Sequence, residues 1–482
     1  MTQKVTTAQA TPTPVEKIDV FSSKTPGKTV SILNGLVELR YYESLLQDSV
    51  MATVMFSDSG NAVPDEKTGD IKSAVEALPI VGSERVEFKM MDNNENKIEY
   101  TFRINNVSPL SDDTTKSIVA LKLVSEEFEI NEETRINKRF DGKPSDAVKE
   151  ILTNFLKTKK DISDIEDSTE CGSIPAQKKP FYALNWLSQR CAPVDKTPGT
   201  TAGFFFYETS EGYHFKSIDA LLGQEKKKSI IFNETPDNRG QNIPEGYDVK
   251  ALTYSKDNRV DVQQKLQAGF QATRLITFNP WNCQYQVLNP KAVGEGGTEE
   301  SLTKAGRELP KMSDEIKSGG DKNIKFSRTT YCILDTGTLP AGSTEQQIEK
   351  SKDENFKPAL VKNQAIMRYN QLYASKVEVT IAGDFSLHAG DAVYFDAPST
   401  QKETKNDDVD RQIGGLYIIS SLCHLVNAQG TYTKLNLVRD SFGRTGKEPQ
   451  TGKPATETSV PGTQPLYQRT VSTASYDTTT TF

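Results

Sequence analysis

An internal repeat limits the fold of this chain more than any other feature of its sequence. Three segments in the first third recur in the same order in the second half: LQDSVMAT at 46–53 and LQAGFQAT at 266–273, GSERVEF at 82–88 and GDAVYF at 390–395, LKLVSEEF at 121–128 and LNLVRDSF at 435–442. Self-similarity in conserved order predicts two copies of one structural unit. All six segments carry the β-branched and aromatic residues typical of strands.

The spacing within the two copies differs. Leu46 precedes Gly82 by 36 residues, whereas Leu266 precedes Gly390 by 124 residues. The second copy therefore holds roughly 88 extra residues, and we predict that it is discontinuous in sequence. Three chains that each carry two similar units would place six equivalent surfaces around one axis, which turns threefold into pseudo-sixfold symmetry.

Periodicity predicts a β-dominated α+β fold. Strand-like segments follow one another between Val30 and Phe128. Apolar residues with helical spacing then favour a helix over 147–156 and another that begins at Pro180. GFFFYETSEGYHFKSI predicts a hairpin with a short polar connection, and NQAIMRYNQLYAS predicts a helix before the strand KVEVTI.

These patterns predict two related β-barrel-like domains and a mixed α/β body between them. The expected boundaries are 1–20 for a flexible N-terminus, 21–130 for the first β domain, 131–240 and 283–375 for the body with helices, 241–282 and 376–442 for the second, discontinuous β domain, and 443–482 for a flexible C-terminal tail. Both ends are rich in Thr, Ser, Pro and Gly, which gives them few large apolar side chains to offset the entropy of ordering. A polar stretch at 291–363 is expected to form surface excursions.

Charge and composition exclude several classes of protein. The net charge of −7 argues against a surface that gathers phosphates. No segment approaches the 18 apolar residues of a membrane span, and the N-terminus lacks the apolar core of a signal peptide. Five cysteines stand far apart without a CxxC pair, so we expect reduced thiols in a protein folded in cytoplasm.

No group of residues predicts catalysis. His214, His388 and His424 each stand without neighbouring ligands at metal spacing, and Cys423 and His424 point to opposite faces of one strand. Acidic pairs that could suggest a glycosidase are interpreted as solvated surface: Glu126 and Glu127, Glu132 and Glu133, Glu299 and Glu300. We predict no catalytic, cofactor-binding or metal-binding residue, no cofactor, and no enzymatic activity.

Three further groups have structural interpretations. GEGG at 294–297 lacks the Lys of a phosphate-binding loop. The run from Glu225 to Lys228 is expected to be a solvated loop rather than a DNA contact. An aromatic group could form a sugar-stacking platform, but alternation favours a core or a subunit interface; its members are Phe204, Phe205, Phe206, Tyr207, Tyr213 and Phe215.

The sequence resembles the central baseplate hub proteins of contractile-tailed, T-even-like bacteriophages over most of residues 21–442. KPFYALNWLSQRCAP, GFFFYETSEGYHFKSIDALL and GLYIISSLCHLVNAQGTYTKLNLVRDSFGR carry the resemblance. It implies that the two β-barrel domains are tail-tube-like and that the mixed α/β body is a hub body. It also implies a homotrimer whose pseudo-hexameric ring continues the tail tube, in the virion tail baseplate after assembly in the host cytoplasm.

The resemblance also implies the partners. A tail tube or tube-initiator protein would lie above the ring, a trimeric central spike below it, and baseplate wedge proteins around it, while DNA would pass through the lumen without specific binding and no part would insert into a membrane. Three alternatives stay open: the hub of a bacterial contractile injection system, a carbohydrate- or receptor-binding tail component, and a peptidoglycan hydrolase.

Overall fold

A computed structural model describes the chain between residues 10 and 439, with gaps. The described residues are 10–24, 27–58, 63–64, 71–72, 78, 80–112, 116–138, 140, 142–169, 177–194, 202–232, 243, 246–257, 263, 267–268, 273–280, 283–288, 328–333, 343–350, 358–373, 375–397 and 414–439. The predicted C-terminal tail, most of the polar stretch at 291–363, GEGG and the pair Glu299 and Glu300 lie outside them.

Strands dominate the described residues. They are Val15–Phe21 (β1), Thr29–Ser31 (β2), Leu36–Ser44 (β3), Met51–Asp58 (β4), Val63–Pro64 (β5), Ile71–Lys72 (β6), Arg85–Met91 (β7), Lys97–Asp112 (β8), Ser117–Ser125 (β9), Phe204–Thr209 (β10), Gly212–Ser217 (β11), Lys228–Ile231 (β12), Val249–Asp257 (β13), Thr273–Asn279 (β14), Gln284–Leu288 (β15), Arg328–Ile333 (β16), Ser375–Ala382 (β17), Ala392–Asp396 (β18), Gly415–Asn427 (β19) and Gly430–Arg439 (β20). The α-helices are Glu126–Glu133 (α1), Pro144–Glu150 (α2), Pro180–Ser188 (α3), Ile218–Leu222 (α4), Thr344–Lys350 (α5) and Pro358–Leu372 (α6). The predicted β-dominated fold class is confirmed.

The first unit occupies one half of a 13-stranded sheet. Its strands lie in the order β3-β4-β9-β8-β7-β1-β2. In β4 every second side chain is buried, as the period of two in MATVMFSD requires. Val54 and Phe56 from β4 pack with Phe88 from β7 and Phe102 from β8, so alternating apolar residues of neighbouring strands build one core.

The second unit closes on itself. Its strands follow the order β18-β12-β13-β17-β20-β19, and β18 also pairs with β19, which completes a six-stranded barrel. The chain leaves this barrel after Asp257 and returns at Ser375. The predicted discontinuity of the second copy is therefore confirmed.

One of the three predicted sequence pairs is wrong. LQDSVMAT leads into β4 of the first unit, whereas LQAGFQAT leads into β14, which pairs with β15 and β16 in a separate three-stranded sheet. The two segments share four of eight residues, and such a match is common where a strand begins. It does not determine with which strands the new strand pairs. The position that corresponds to β4 in the second barrel is held by β17.

Two strands cross the domain boundaries that the sequence predicts. β1 covers Val15–Phe21 in the segment expected to be a flexible N-terminus, and it pairs with β7 because Ile18 and Val20 enter the core. β12 covers Lys228–Ile231 in the segment assigned to the hub body, yet it pairs with β13 and β18 of the second barrel. Because both strands are short or flanked by polar residues, the alternation of apolar and polar residues that would indicate a strand is weak in the sequence.

The body between the two units contains the predicted helices and hairpin. Pro144 and Pro180 occupy the first turns of α2 and α3, where a missing N–H costs nothing. A single π-helical turn, Ile151–Phe155, follows α2 and keeps Ile151 and Leu152 on the buried face. β10 and β11 form a hairpin. Its aromatic side chains pack with Ile151 and Leu152 in a core that is separate from that of the first unit. These element predictions are confirmed.

Candidate functional site: the seam between the two units

The two units share one strand order. Five strands of the first unit run β3-β4-β9-β8-β7, and five strands of the second run β13-β17-β20-β19-β18. Every neighbouring pair in both series is antiparallel. In chain order these strands occupy the same positions, so the repeat seen in the sequence is a repeat of topology.

The agreement extends to single residues. Leu121 of β9 and Leu435 of β20 are aligned in the sequence repeat. When the pairing partners are followed from these two residues through β8 to β7 and through β19 to β18, RVEF of β7 and AVYF of β18 occupy equivalent positions, as in the sequence alignment. The pair GSERVEF and GDAVYF is therefore confirmed as structural counterparts, and so is the pair LKLVS and LNLVR, the part of the third repeat that the structure describes.

Matching β-bulges support this alignment. The register of β8 shifts between Ile104 and Asn106, and the register of β19 shifts between Ile419 and Ser421, its counterparts. A second pair of shifts occurs at the start of β3 and at the start of β13. Bulges re-aim a strand and are specific features of a fold, so two matched pairs indicate one common template.

The turn before β7 and β18 has the same hydrogen bonds in both units. The Glu84 carboxylate accepts the Val81 N–H at 2.9 Å, and the Asp391 carboxylate accepts the His388 N–H at 2.7 Å. The backbone carbonyl of Glu84 accepts the N–H of Ile104, as that of Asp391 accepts the N–H of Ile419. An acid therefore holds an equivalent turn in each copy.

The sixth position distinguishes the units. In the first unit β1 runs antiparallel to β7. In the second, β12 runs parallel to both β18 and β13 and thereby closes the barrel. The five-stranded core is thus repeated, whereas the strand that covers its end is not.

A seam joins the two units edge to edge. Residues 421–427 of β19 pair antiparallel with residues 38–44 of β3. His424 and Tyr41 face each other across this seam with stacked rings 6.0 Å apart, and both are fully buried. Because β19 also pairs with β20 along its other edge, backbone hydrogen bonds run without a break from one unit into the next.

Glu43 is the charged centre of the seam. It is buried on β3, and its carboxylate accepts hydrogen bonds from the Tyr41 hydroxyl and from the backbone N–H groups of Ser210 and Ala389. It also forms a hydrogen bond with Nδ1 of His388. Burial raises the pKa of Glu43, but the His388 charge and these N–H donors outweigh it, so the net pKa is lowered. Burial lowers the pKa of His388, while the Glu43 charge and hydrogen bond raise it overall.

The Glu43 contacts connect three parts of the molecule. Glu43 belongs to the first unit, and Ser210 lies at the tip of the body hairpin. His388 and Ala389 lie in the connection between β17 and β18 of the second barrel. Sequence analysis missed Glu43. The available signal was its position, because Leu39, Tyr41 and Glu43 alternate along β3 and put a charge on the apolar face.

A second buried network fixes the body to the first unit. Glu208 of the hairpin accepts the Val50 N–H at 3.0 Å and the Tyr100 hydroxyl at 2.5 Å, and it pairs with Lys160. Lys160 also pairs with Glu127 at the start of α1. Burial raises the pKa of Glu208, with Lys160 acting in the opposite direction. Networks of this kind hold rigid bodies in one relative position.

Two of the three histidines, His388 and His424, lie at the seam, whereas His214 lies in the body hairpin. His214 stacks on Tyr207 and its Nδ1 lies 2.6 Å from a carboxylate oxygen of Asp164. His424 bonds to Thr433, and burial lowers its pKa to about 4. Burial raises the pKa of Cys423 to about 11, so this thiol is poorly suited to be a nucleophile.

The other candidate groups are engaged structurally. Glu126 pairs with Arg103, and Glu132 pairs with Lys179. In the basic run, Lys227 pairs with Asp391 at 2.9 Å. All six members of the aromatic group are at most 5% exposed, so they belong to the core and offer no open stacking face for a sugar.

Within the described ranges, no cluster of three or more His, Cys, Asp or Glu side chains could hold a metal ion. No helix in this part of the chain is long and apolar enough to cross a membrane. The arrangement instead offers backbone edges, matched surfaces and buried ion pairs that fix the relative position of two repeated units.

The fold therefore defines a class of β-dominated proteins built from two copies of one strand order fused into a single sheet. No protein-family model matches the chain, and no curated protein matches it. Among solved structures, the chain is similar to the tail protein from Neisseria meningitidis MC58, with 9% identity, a TM-score of 0.49, and 89% of this chain and 99% of that chain covered.

A second similar structure is a tail protein of prophage MuSo2 from Shewanella oneidensis, with 10% identity, a TM-score of 0.47, and 88% and 98% of the two chains covered. A third is a component of the Escherichia coli type VI secretion system, with 9% identity, a TM-score of 0.42, and 89% and 78% covered.

Proposed function

We propose that this chain is a structural virion protein, a trimeric baseplate hub in which three copies close a ring of six similar units. The observation that carries the proposal is the seam, because one chain already contains two topologically equivalent units joined strand to strand. A chain of this kind is a two-unit segment of a ring. Three segments give threefold symmetry outside and pseudo-sixfold symmetry at the strands.

The two buried networks suit this role. A hub that adapts one symmetry to another must hold its units at a fixed angle, and Glu43 and Glu208 each join separate bodies through charged hydrogen bonds. None of these contacts requires chemistry. The mechanism is fixed geometry, and the chain acts without a cofactor or a catalytic step.

The proposed partners are those that the resemblance to baseplate hub proteins implies. The tail tube or its initiator would bind one face, a trimeric central spike the other, and wedge proteins the circumference, all in a tail baseplate assembled in the host cytoplasm. DNA would pass through the centre without specific binding, in keeping with a net charge of −7.

The hub of a bacterial contractile injection system is the one alternative that the same geometry supports equally. It would use the same ring, and genes for capsid and packaging proteins beside this gene would distinguish a phage from a secretion system. The burial of the aromatic group removes the feature that favoured sugar binding.

The test is the mass and symmetry of the purified full chain. Light scattering should give the mass of three chains, and negative-stain class averages should show a ring with six inner lobes and an open centre. A compact monomer at micromolar concentration, with no channel, would overturn the proposal, because permanent assemblies bury at least about 2,000 Å² and stay together at that concentration.

A further inference from the structure

Strand edges that are equivalent in the two units have different neighbours. In the second barrel, the far half of β19 pairs with β3 of the first unit. In the first unit, the far half of β8 corresponds to this half of β19. β8 pairs with β7 only over residues 97–103, and among the strands that the structure describes none continues along that edge to Asp112.

The second barrel has the complementary edge. β13 corresponds to β3, and it pairs with β17 from Ala251 to Asp257 along one side. Along its other side β13 pairs with β12 only at Val249 and Lys250. Within the described part of the chain no strand follows the rest of that side.

Exposure of the side chains follows this difference. On β19, Leu422, His424 and Val426 are buried at the seam. The corresponding part of β8 is less buried: Val107 is half-buried, Pro109 and Ser111 are exposed, and Leu110 keeps 56% of its surface accessible. On β13, Leu252 keeps 39%. Long strand edges with exposed apolar residues are sites where another strand adds.

We propose that the far half of β8 in one copy pairs antiparallel with β13 of a second copy, in the manner in which β19 pairs with β3 inside each chain. This inference rests on the proposed ring and names the strands that close it. The contact is heterologous, since two different edges meet, and a heterologous contact between copies generates a ring when its rotation closes.

The internal seam fixes the register of this contact. Leu425 of β19 faces Arg40 of β3 at the seam. In the alignment of the two units, Ser111 of β8 is equivalent to Leu425 of β19. Ser255 of β13 is equivalent to Arg40 of β3. Ser111 of one copy is therefore expected opposite Ser255 of the next.

Pro109 modifies the β8 edge without removing it. Proline has no N–H to donate, and the register of β8 shifts between Pro109 and Ser111. A proline and a bulge are common on edges that must not pair indiscriminately. We expect ladder hydrogen bonds on both sides of Pro109 and none donated by it.

Cysteine cross-linking of the full chain tests the register. Ser111→Cys and Ser255→Cys replace exposed serines by residues of similar size, in a background with the exposed Cys283 changed to serine. Facing residues of antiparallel strands lie within the Cα distance that a disulfide spans. Mixing S111C chains with S255C chains should give a covalent dimer of the two different chains on oxidation.

The matched control is Lys256→Cys mixed with S111C. Lys256 is exposed beside Ser255, and successive side chains point to opposite faces of a strand. The S111C and S255C mixture should therefore yield roughly tenfold more cross-linked dimer than this control. Each reduced variant should have the same mass in solution as the parent chain.

Three results would overturn the inference, and they separate it from the proposed function. Trimers that form normally but give no S111C to S255C link would leave the ring and refute these edges. Efficient linking of S111C chains to one another would show that β8 pairs with β8. A protein that stays monomeric would contradict the ring itself, and with it the pairing.

Discussion

The two units differ in how their five shared strands are finished. In the second unit, the parallel strand β12 bridges β13 and β18 and closes the barrel. In the first unit, β1 extends the sheet antiparallel to β7 and leads on to β2. A duplicated core can therefore keep its register while the covering strand changes direction, since the core residues and bulges fix the template.

The largest effect is expected from the two cores. Phe88 and Phe395 are the same residue type at equivalent positions, and both are buried. Phe88→Ala and Phe395→Ala should each lower the free energy of unfolding of their own unit by about 3 to 5 kcal/mol, because each leaves a cavity. Hydrogen exchange measured unit by unit would locate the loss. A loss below about 1 kcal/mol in only one unit would contradict their equivalence.

The two seam histidines should respond to pH with opposite signs. The pKa of His424 falls from 6.5 to about 4 on burial. Between these two pH values His424 is therefore protonated in the unfolded chain and neutral in the folded chain. Stability should fall by roughly 3 kcal/mol as the pH drops from 6.5 to 4. His424→Gln should remove this slope in urea unfolding.

His388 has a raised pKa, because the Glu43 charge and hydrogen bond outweigh burial. Its contribution should be complete below pH 6.5 and should disappear as the pH rises through its pKa in the folded protein. The His388→Gln variant should therefore be less stable than the wild type at low pH, and this difference in the free energy of unfolding should disappear at high pH. An equal difference in stability at pH 6 and pH 9 would contradict the ion pair.

The smallest effect concerns the acidic turns. Glu84→Ala and Asp391→Ala each remove the carboxylate that accepts a backbone N–H three residues earlier. Each should cost about 1 to 2 kcal/mol. Lys227→Ala removes only the half-exposed partner of Asp391, so it should cost no more than about 1 kcal/mol. Urea unfolding of the three variants provides the measurement.

Much of this fold was predictable from local pattern. The alternation of buried residues in β4 and the shared RVEF and AVYF segments indicated strands and paired two of them with their true counterparts. The helical spacing after Pro144 and Pro180 identified α2 and α3. These signals succeed because burial on one face of an element imposes its own period on the sequence.

The rest depended on tertiary neighbours. KSII is too short to reveal that β12 closes a barrel, and TRLITFN resembles any strand although β14 joins a separate sheet. Glu43 was readable as a charge on an apolar face next to Tyr41. Its other three partners, residues 210, 388 and 389, are far away in the sequence, and no local pattern brings them to Glu43. Long-range contacts carry no local period.

The most direct test of the proposed ring is an electron cryo-microscopy map of the assembled full chain at a resolution that separates strands. We predict a closed ring in which the β19 to β3 pairing inside each chain alternates with a β8 to β13 pairing between chains, so that the strand order repeats six times around the axis. A ring whose subunits meet through other surfaces, with the β8 and β13 edges facing solvent, would contradict it.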